Sequence, residues 1–79
     1  MKVRLFARAR ELAGADVIEV NVPPGAKVGD LRRQLAQDHP ALAGLLQRCA
    51  LAVNEEFAEY GLTLPRGTEV ALLPPVSGG

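Results

Sequence analysis

The longest run of helical periodicity in this chain is VGDLRRQLAQD, residues 28–38. Val28, Leu31 and Leu35 recur at helical spacing, and Arg32, Arg33 and Gln37 fall on the wet side. Asp30 lies in the first turn, where the helix dipole favours a negative charge. His39-Pro40 ends the helix, because the residue before proline avoids the helical region. A helix with one apolar stripe must bury it against something else, and the flanking segments alternate as strands do.

Residues 2–8 (KVRLFAR) alternate: Val3, Leu5 and Ala7 face one way, Arg4, Phe6 and Arg8 the other. Ala9–Ala13 is expected to be a single helical turn stopped by Gly14. Residues 16–22 (DVIEVNV) alternate again, with Val17 or Ile18 choosing the face. Pro24-Gly25 then suits a type II turn, which needs a positive φ at its third residue. Past the main helix, 41–47 reads as a second short helical piece with Leu42, Leu45 and Leu46 apolar. CALAV (49–53) reads as an apolar strand, 54–56 as a turn, and 57–60 as a short return strand. Residues 64–67 (LPRG) suit a type I turn, and EVALL (69–73) the last strand, ended by Pro74-Pro75.

A hairpin, one main helix and a return to the sheet give an α+β fold. The first and last strands become central and parallel through a right-handed crossover. This is the β-grasp, or ubiquitin-like roll: a mixed sheet with one main helix packed across it. The expectation is a single domain over residues 1–79, with a flexible tail over 74–79. At 79 residues it supports one modest core and no deep cleft.

Composition narrows the function. Nine Lys and Arg balance nine Asp and Glu, and only 4% of residues are aromatic. Neither a basic excess nor stacking platforms point to nucleic acid or an anionic membrane. No apolar run approaches a bilayer span. The lone Cys49 and the absence of a signal-like opening lead to the expectation of a soluble cytoplasmic protein. Side-chain chemistry is sparse. His39 reads as a surface capping residue, Cys49 as inert core, and Glu55-Glu56 as a solvated turn. Metal-ligand spacing is absent, so no metal is expected. Arg4, Arg8, Arg10, Arg32 and Arg33 read as ordinary surface.

Two features remain. If Val70 and Leu72 point inward, Ala71 and Leu73 point outward and share a face with Phe6. That apolar patch is read as a partner surface. The second feature is VSGG, residues 76–79, launched from Pro74-Pro75. Val76, Ser77 and Gly78 can thread a narrow tunnel, and Gly79 brings its carboxyl to another protein's active site. A carboxylate becomes electrophilic once ATP converts it to an acyl adenylate, open to attack by sulfur or nitrogen.

The segments VRLFARARELAG (3–14), AVN (52–54) and GTEVALLPPVSGG (67–79) resemble the small, sulfur-carrying subunit of molybdopterin synthase. The resemblance covers the whole chain, and PPVSGG is its most specific part. It implies that a ubiquitin-activating-type adenylyltransferase adenylates Gly79, using ATP, and that a sulfur donor protein turns it into a thiocarboxylate. The tail would insert into the large synthase subunit and give sulfur to cyclic pyranopterin monophosphate, in a heterotetramer. No cofactor is bound by the carrier itself. Phe6 matches an aromatic at the family's interface, Arg10 the arginine of its VREL segment, and Gly78-Gly79 its reactive end. Leu73, Pro74 and Pro75 join Phe6 and Arg10 as expected interface residues. Lys27 replaces the Thr or Ser that often caps the helix, and Leu72-Leu73 stand where some relatives have Phe-Phe. A carrier for thiamine thiazole synthesis and a ubiquitin-like protein modifier are the alternatives.

Overall fold

The computed structural model describes residues 1–65 and 67–73. Five strands form one sheet: β1 (Lys2–Leu5), β2 (Val17–Glu19), β3 (Ala50–Val53), β4 (Glu56–Phe57) and β5 (Val70–Leu73). Their order is β2-β1-β5-β3-β4. β1 and β5 run parallel, with Val3, Arg4 and Leu5 opposite Val70, Ala71 and Leu72. The remaining pairs are antiparallel. Helices α1 (Ala7–Ala13), α2 (Val28–Asp38) and α3 (Ala43–Leu46) accompany the sheet, and a 3₁₀ turn at Pro40–Leu42 leads into α3. This is the expected β-grasp.

The core is the layer between sheet and helices. Val3, Leu5, Ile18, Leu51, Val53, Val70 and Leu72 meet Ala9, Val28, Leu31, Leu35, Leu42 and Leu46 there, all buried. Each fully buried Leu or Val contributes about 1.5–3 kcal/mol relative to exposure. The expected stripe of α2, Val28, Leu31 and Leu35, is the face that is buried. A lysine ammonium has no lone pair to accept with, so Lys27 gives α2 no side-chain cap. Half of a capping box survives: the Asp30 carboxylate accepts from the Lys27 N–H at 2.9 Å. The next two orphan donors bond to the 60–62 loop, Val28 N–H to the Leu62 carbonyl and Gly29 N–H to that of Tyr60.

Several boundaries differ from the sequence reading. β1 stops at Leu5, and α1 starts at Ala7, two residues earlier than expected. Its inward residue is Ala9, while Ala7 is exposed with φ +49°. Alternation through 8 therefore mistook a helix start for strand, because both patterns place an apolar residue at position 9 or near it. β2 is only three residues long, and Ile18 takes the inward side. The return strand is Glu56–Phe57 rather than 57–60. Asn54 (φ +50°) and Glu55 (φ +69°) make the two-residue turn between β3 and β4. Positive φ at both central positions is the geometry that matches strand twist in a tight hairpin. The Pro24-Gly25 turn is as expected, with Gly25 at φ +81° and the Ala26 N–H donating to the Pro23 carbonyl. The turn read at 64–67 includes Arg66, outside the described residues.

Candidate partner-docking face

Strand pleating gives the sheet two faces, and the helices cover only one of them. On the other, register aligns Val17, Arg4, Ala71, Ala52 and Phe57 in one row across all five strands. A second row holds Leu73 opposite Ala50. Phe6 follows Leu5 in extended backbone, and its ring completes that row beside Leu73. Arg4, Phe6, Ala52, Glu55, Glu69, Ala71 and Leu73 line a shallow depression of about 210 Å³. The bottom is apolar and the rim is charged.

Arg4 organises this rim. Its guanidinium pairs with Glu69 at 3.0 Å and lies 5.8 Å from the centroid of the Phe6 ring. Both members of the ion pair are more than half exposed, so the pair adds little stability. The guanidinium thus lies over Phe6, which remains 39% exposed. Asn54 and Glu69 tie the hairpin to β5: the Asn54 N–H donates to the Glu69 carbonyl, and the Glu69 N–H to Asn54 Oδ1. The patch is therefore built on paired strands and not on free loops.

Of the expected interface residues, the structure brings Phe6 and Leu73 together. Arg10 is elsewhere, on α1, paired with Asp16 at 2.5 Å. Pro74, Pro75, Val76, Ser77, Gly78 and Gly79 lie outside the described residues. β5 reaches Leu73 on this face, and residues 74–79 follow it in the chain. Phe57 was missed. It is the most exposed large apolar side chain among the described residues, at 74%. Its place opposite Ala52 puts it on the same face.

Comparison with known proteins decides the family. The sequence model of the ThiS family matches residues 3–79. The chain belongs to the ThiS family. A molybdopterin synthase sulfur carrier subunit of Chlamydomonas reinhardtii is 38% identical, over 100% of this chain and 98% of that protein. Small archaeal modifier protein 1 (SAMP1) of Haloferax volcanii, in its crystal structure, has a TM-score of 0.85 at 37% identity, covering 100% of this chain and 98% of that one. A chain from the complex of subunits 1 and 2 of molybdopterin-converting factor of Helicobacter pylori has a TM-score of 0.65 at 28% identity, over 99% and 96% of the two chains.

Cys49 is half-buried just before β3 instead of fully inside. Burial pushes its thiol up, and nearby Arg32 pulls it partly back. A thiol held protonated is a poor nucleophile. His39 closes α2, its backbone N–H donating to the Leu35 carbonyl. Among the described residues, no cluster of His, Cys, Asp or Glu could hold a metal, and no helix is long and apolar enough to cross a membrane.

Proposed function

We propose that this protein is the sulfur-carrier subunit of a molybdopterin synthase and serves molybdenum cofactor biosynthesis. The observation that carries the reading is full-length similarity to sulfur carrier subunits, with a family match that runs through Gly78-Gly79. The chemistry follows from a carboxylate's weakness as an electrophile. An activating enzyme of the ubiquitin-activating type joins the Gly79 carboxylate to AMP, releasing pyrophosphate from ATP. Sulfide-level sulfur from a donor protein attacks the acyl carbonyl, AMP leaves, and a thiocarboxylate remains. Inside the large subunit that sulfur passes to cyclic pyranopterin monophosphate, and water returns Gly79 to a carboxylate. Two rounds complete the dithiolene.

The sheet face supports a division of labour. Phe6, Leu73 and Phe57 dock the body on the large subunit, while 74–79 reach the reacting centre. The carrier supplies no catalytic side chain, so the activating enzyme, the sulfur donor and the large subunit are its required partners.

The test is the mass of protein isolated from its native host. Exchange of one oxygen for one sulfur at the C-terminus is expected, and deletion of Gly79 should abolish pterin sulfuration in a reconstituted assay. Activity that survives the deletion would overturn the reading. A second reading, a modifier attached to lysines through Gly79, is favoured by the similarity to SAMP1. It predicts isopeptide-linked adducts in the same spectra.

A further inference from the structure

The helical side of the molecule carries a groove that the sulfur-carrier reading leaves unused. It runs between α2 and α3, holds about 720 Å³, and shares no lining residue with the depression on the sheet. Lys27, Arg32 and Arg33 line it, against Asp30 as its one carboxylate. The chain as a whole is neutral, so this is a local concentration of positive charge.

The five arginines read as ordinary surface divide in the structure. Arg4, Arg8 and Arg10 are each paired with an acid, Glu69, Glu11 and Asp16. Arg32 has no acidic partner among the described residues. Its Nη2 donates to the Leu46 carbonyl at 2.7 Å, and its guanidinium lies 4.9 Å from the centroid of the Tyr60 ring. Its Nε is enclosed without a hydrogen-bond partner. Arg33 reaches Asp30 only at 3.4 Å, in an exposed pair. The other Asp30 oxygen is already used by the Lys27 N–H. Lys27 forms no ion pair among the described residues. The first-turn amides of α2 are spoken for by Leu62, Tyr60 and Lys27 carbonyls, so side chains and not the helix end would do the binding.

We propose that this groove docks an acidic peptide segment of a partner protein. Charge complementarity selects the occupant: two uncompensated cations meet carboxylates. Tyr60, which lines the groove and is 55% exposed, adds apolar contact beside them. A lysine and two arginines spread along one helix suit an extended chain of side-chain carboxylates better than a single compact anion. The sheet face stays free, so an acidic partner can sit here while the opposite side is engaged, whatever Gly79 carries.

The experiment uses the full chain, isotope-labelled, titrated with end-blocked hexaglutamate and followed by amide NMR shifts. Saturable shifts at residues 27–36, 43–47 and 60–61 are expected, with none at 5–6 or 71–73. Raising the salt should weaken binding, because exposed charges are screened. Arg33→Glu, at an exposed position, should weaken it roughly tenfold and leave the fold's spectrum intact. Lys27→Gln, a second and milder change, should weaken it less. Absent or scattered shifts, or full binding by Arg33→Glu, would overturn the proposal. So would stronger shifts of the same amides by inorganic phosphate or by a single-stranded oligonucleotide.

Discussion

Leu5 on β1 lies opposite Leu72 on β5 in parallel register, and both are buried against the helices. Pleating then turns the next residue of each strand outward. Phe6 and Leu73 thus come to one face although 66 intervening residues separate them. The docking roles of Phe6 and Leu73 descend from that pairing.

Phe57 is almost free of its own fold, so truncating it separates binding from stability. Phe57→Ala should change stability by no more than about 0.5 kcal/mol. Its affinity for the large subunit should fall by roughly 1–2 kcal/mol, as for an aromatic anchor. Phe6→Ala should lose a similar amount, plus some stability, since its ring is mostly covered and stacked by Arg4. Isothermal titration against the large subunit of the same host checks both. Unchanged affinity in either variant removes that residue from the interface.

Three non-glycine residues sit in left-handed backbone, Ala7, Asn54 and Glu55; asparagine tolerates that region, so Ala7 and Glu55 are the unfavourable ones. The left-handed region costs an L-residue roughly 1–2 kcal/mol, part of which glycine's greater freedom in the unfolded chain takes back. Glu55→Gly creates the Asn-Gly pair that two-residue hairpin turns favour. Stabilisation by up to about 1 kcal/mol is expected, a Tm rise of up to roughly 4–8 °C in a domain of this size. Ala7→Gly should act in the same direction. Thermal melts of the two variants, singly and together, test this. A lowered Tm for Glu55→Gly would mean that its side chain does more than the turn geometry shows.

The elements most legible in the sequence were those whose periodicity is backed by punctuation. α2 was bounded correctly at both ends, because the apolar stripe begins at Val28 and Pro40 forbids continuation past His39. The Pro24-Gly25 turn was equally plain, and Val70 and Leu72, inward only as a condition in the sequence, are buried. The junction at Phe6-Ala7 was not. Nothing in FAR marks a helix start: Phe6 offers no capping oxygen, and Ala7 adopts a φ that its residue type does not announce. Phe57 escaped for a different reason. The face of a two-residue edge strand depends on the turn before it, and a turn read over 54–56 instead of Asn54-Glu55 moved the strand to 57–60. The groove along α2 depended on tertiary placement of Leu46 and Tyr60, which no local pattern encodes.

Leu31 is fully buried on the sheet-facing side of α2. Leu31→Ala should cost about 2–5 kcal/mol. A domain of this size has roughly 4–12 kcal/mol in total, at ordinary values per residue, so a large share of it is at stake. Leu12, on α1 and 38% exposed, provides the contrast; Leu12→Ala should cost under about 1 kcal/mol. Urea denaturation measures both. Equal losses would show that α2 does not anchor the core as its packing indicates.

Cys49 gives the pH prediction. Its thiol is raised above the ordinary 9.0, first by burial, with Arg32 opposing. Between the unfolded value and the higher folded one, the native state holds a proton that the unfolded chain has released. Stability therefore falls as pH rises through that window, and the contribution is fully present below it. Cys49→Ser has no thiol to titrate. The stability advantage of the unaltered protein over Cys49→Ser should be constant up to about pH 8 and shrink above about pH 9. Contributions common to both proteins cancel in the difference. Urea midpoints across that range provide the measurement. Alkylation by iodoacetamide gives an independent reading, since only the thiolate reacts. At pH 8 the folded protein should react more slowly than the urea-unfolded chain, and Arg32→Gln, by removing the opposing charge, should slow it further. Faster alkylation of the folded protein would mean that the Arg32 charge outweighs burial, and the sign of the stability trend would then reverse.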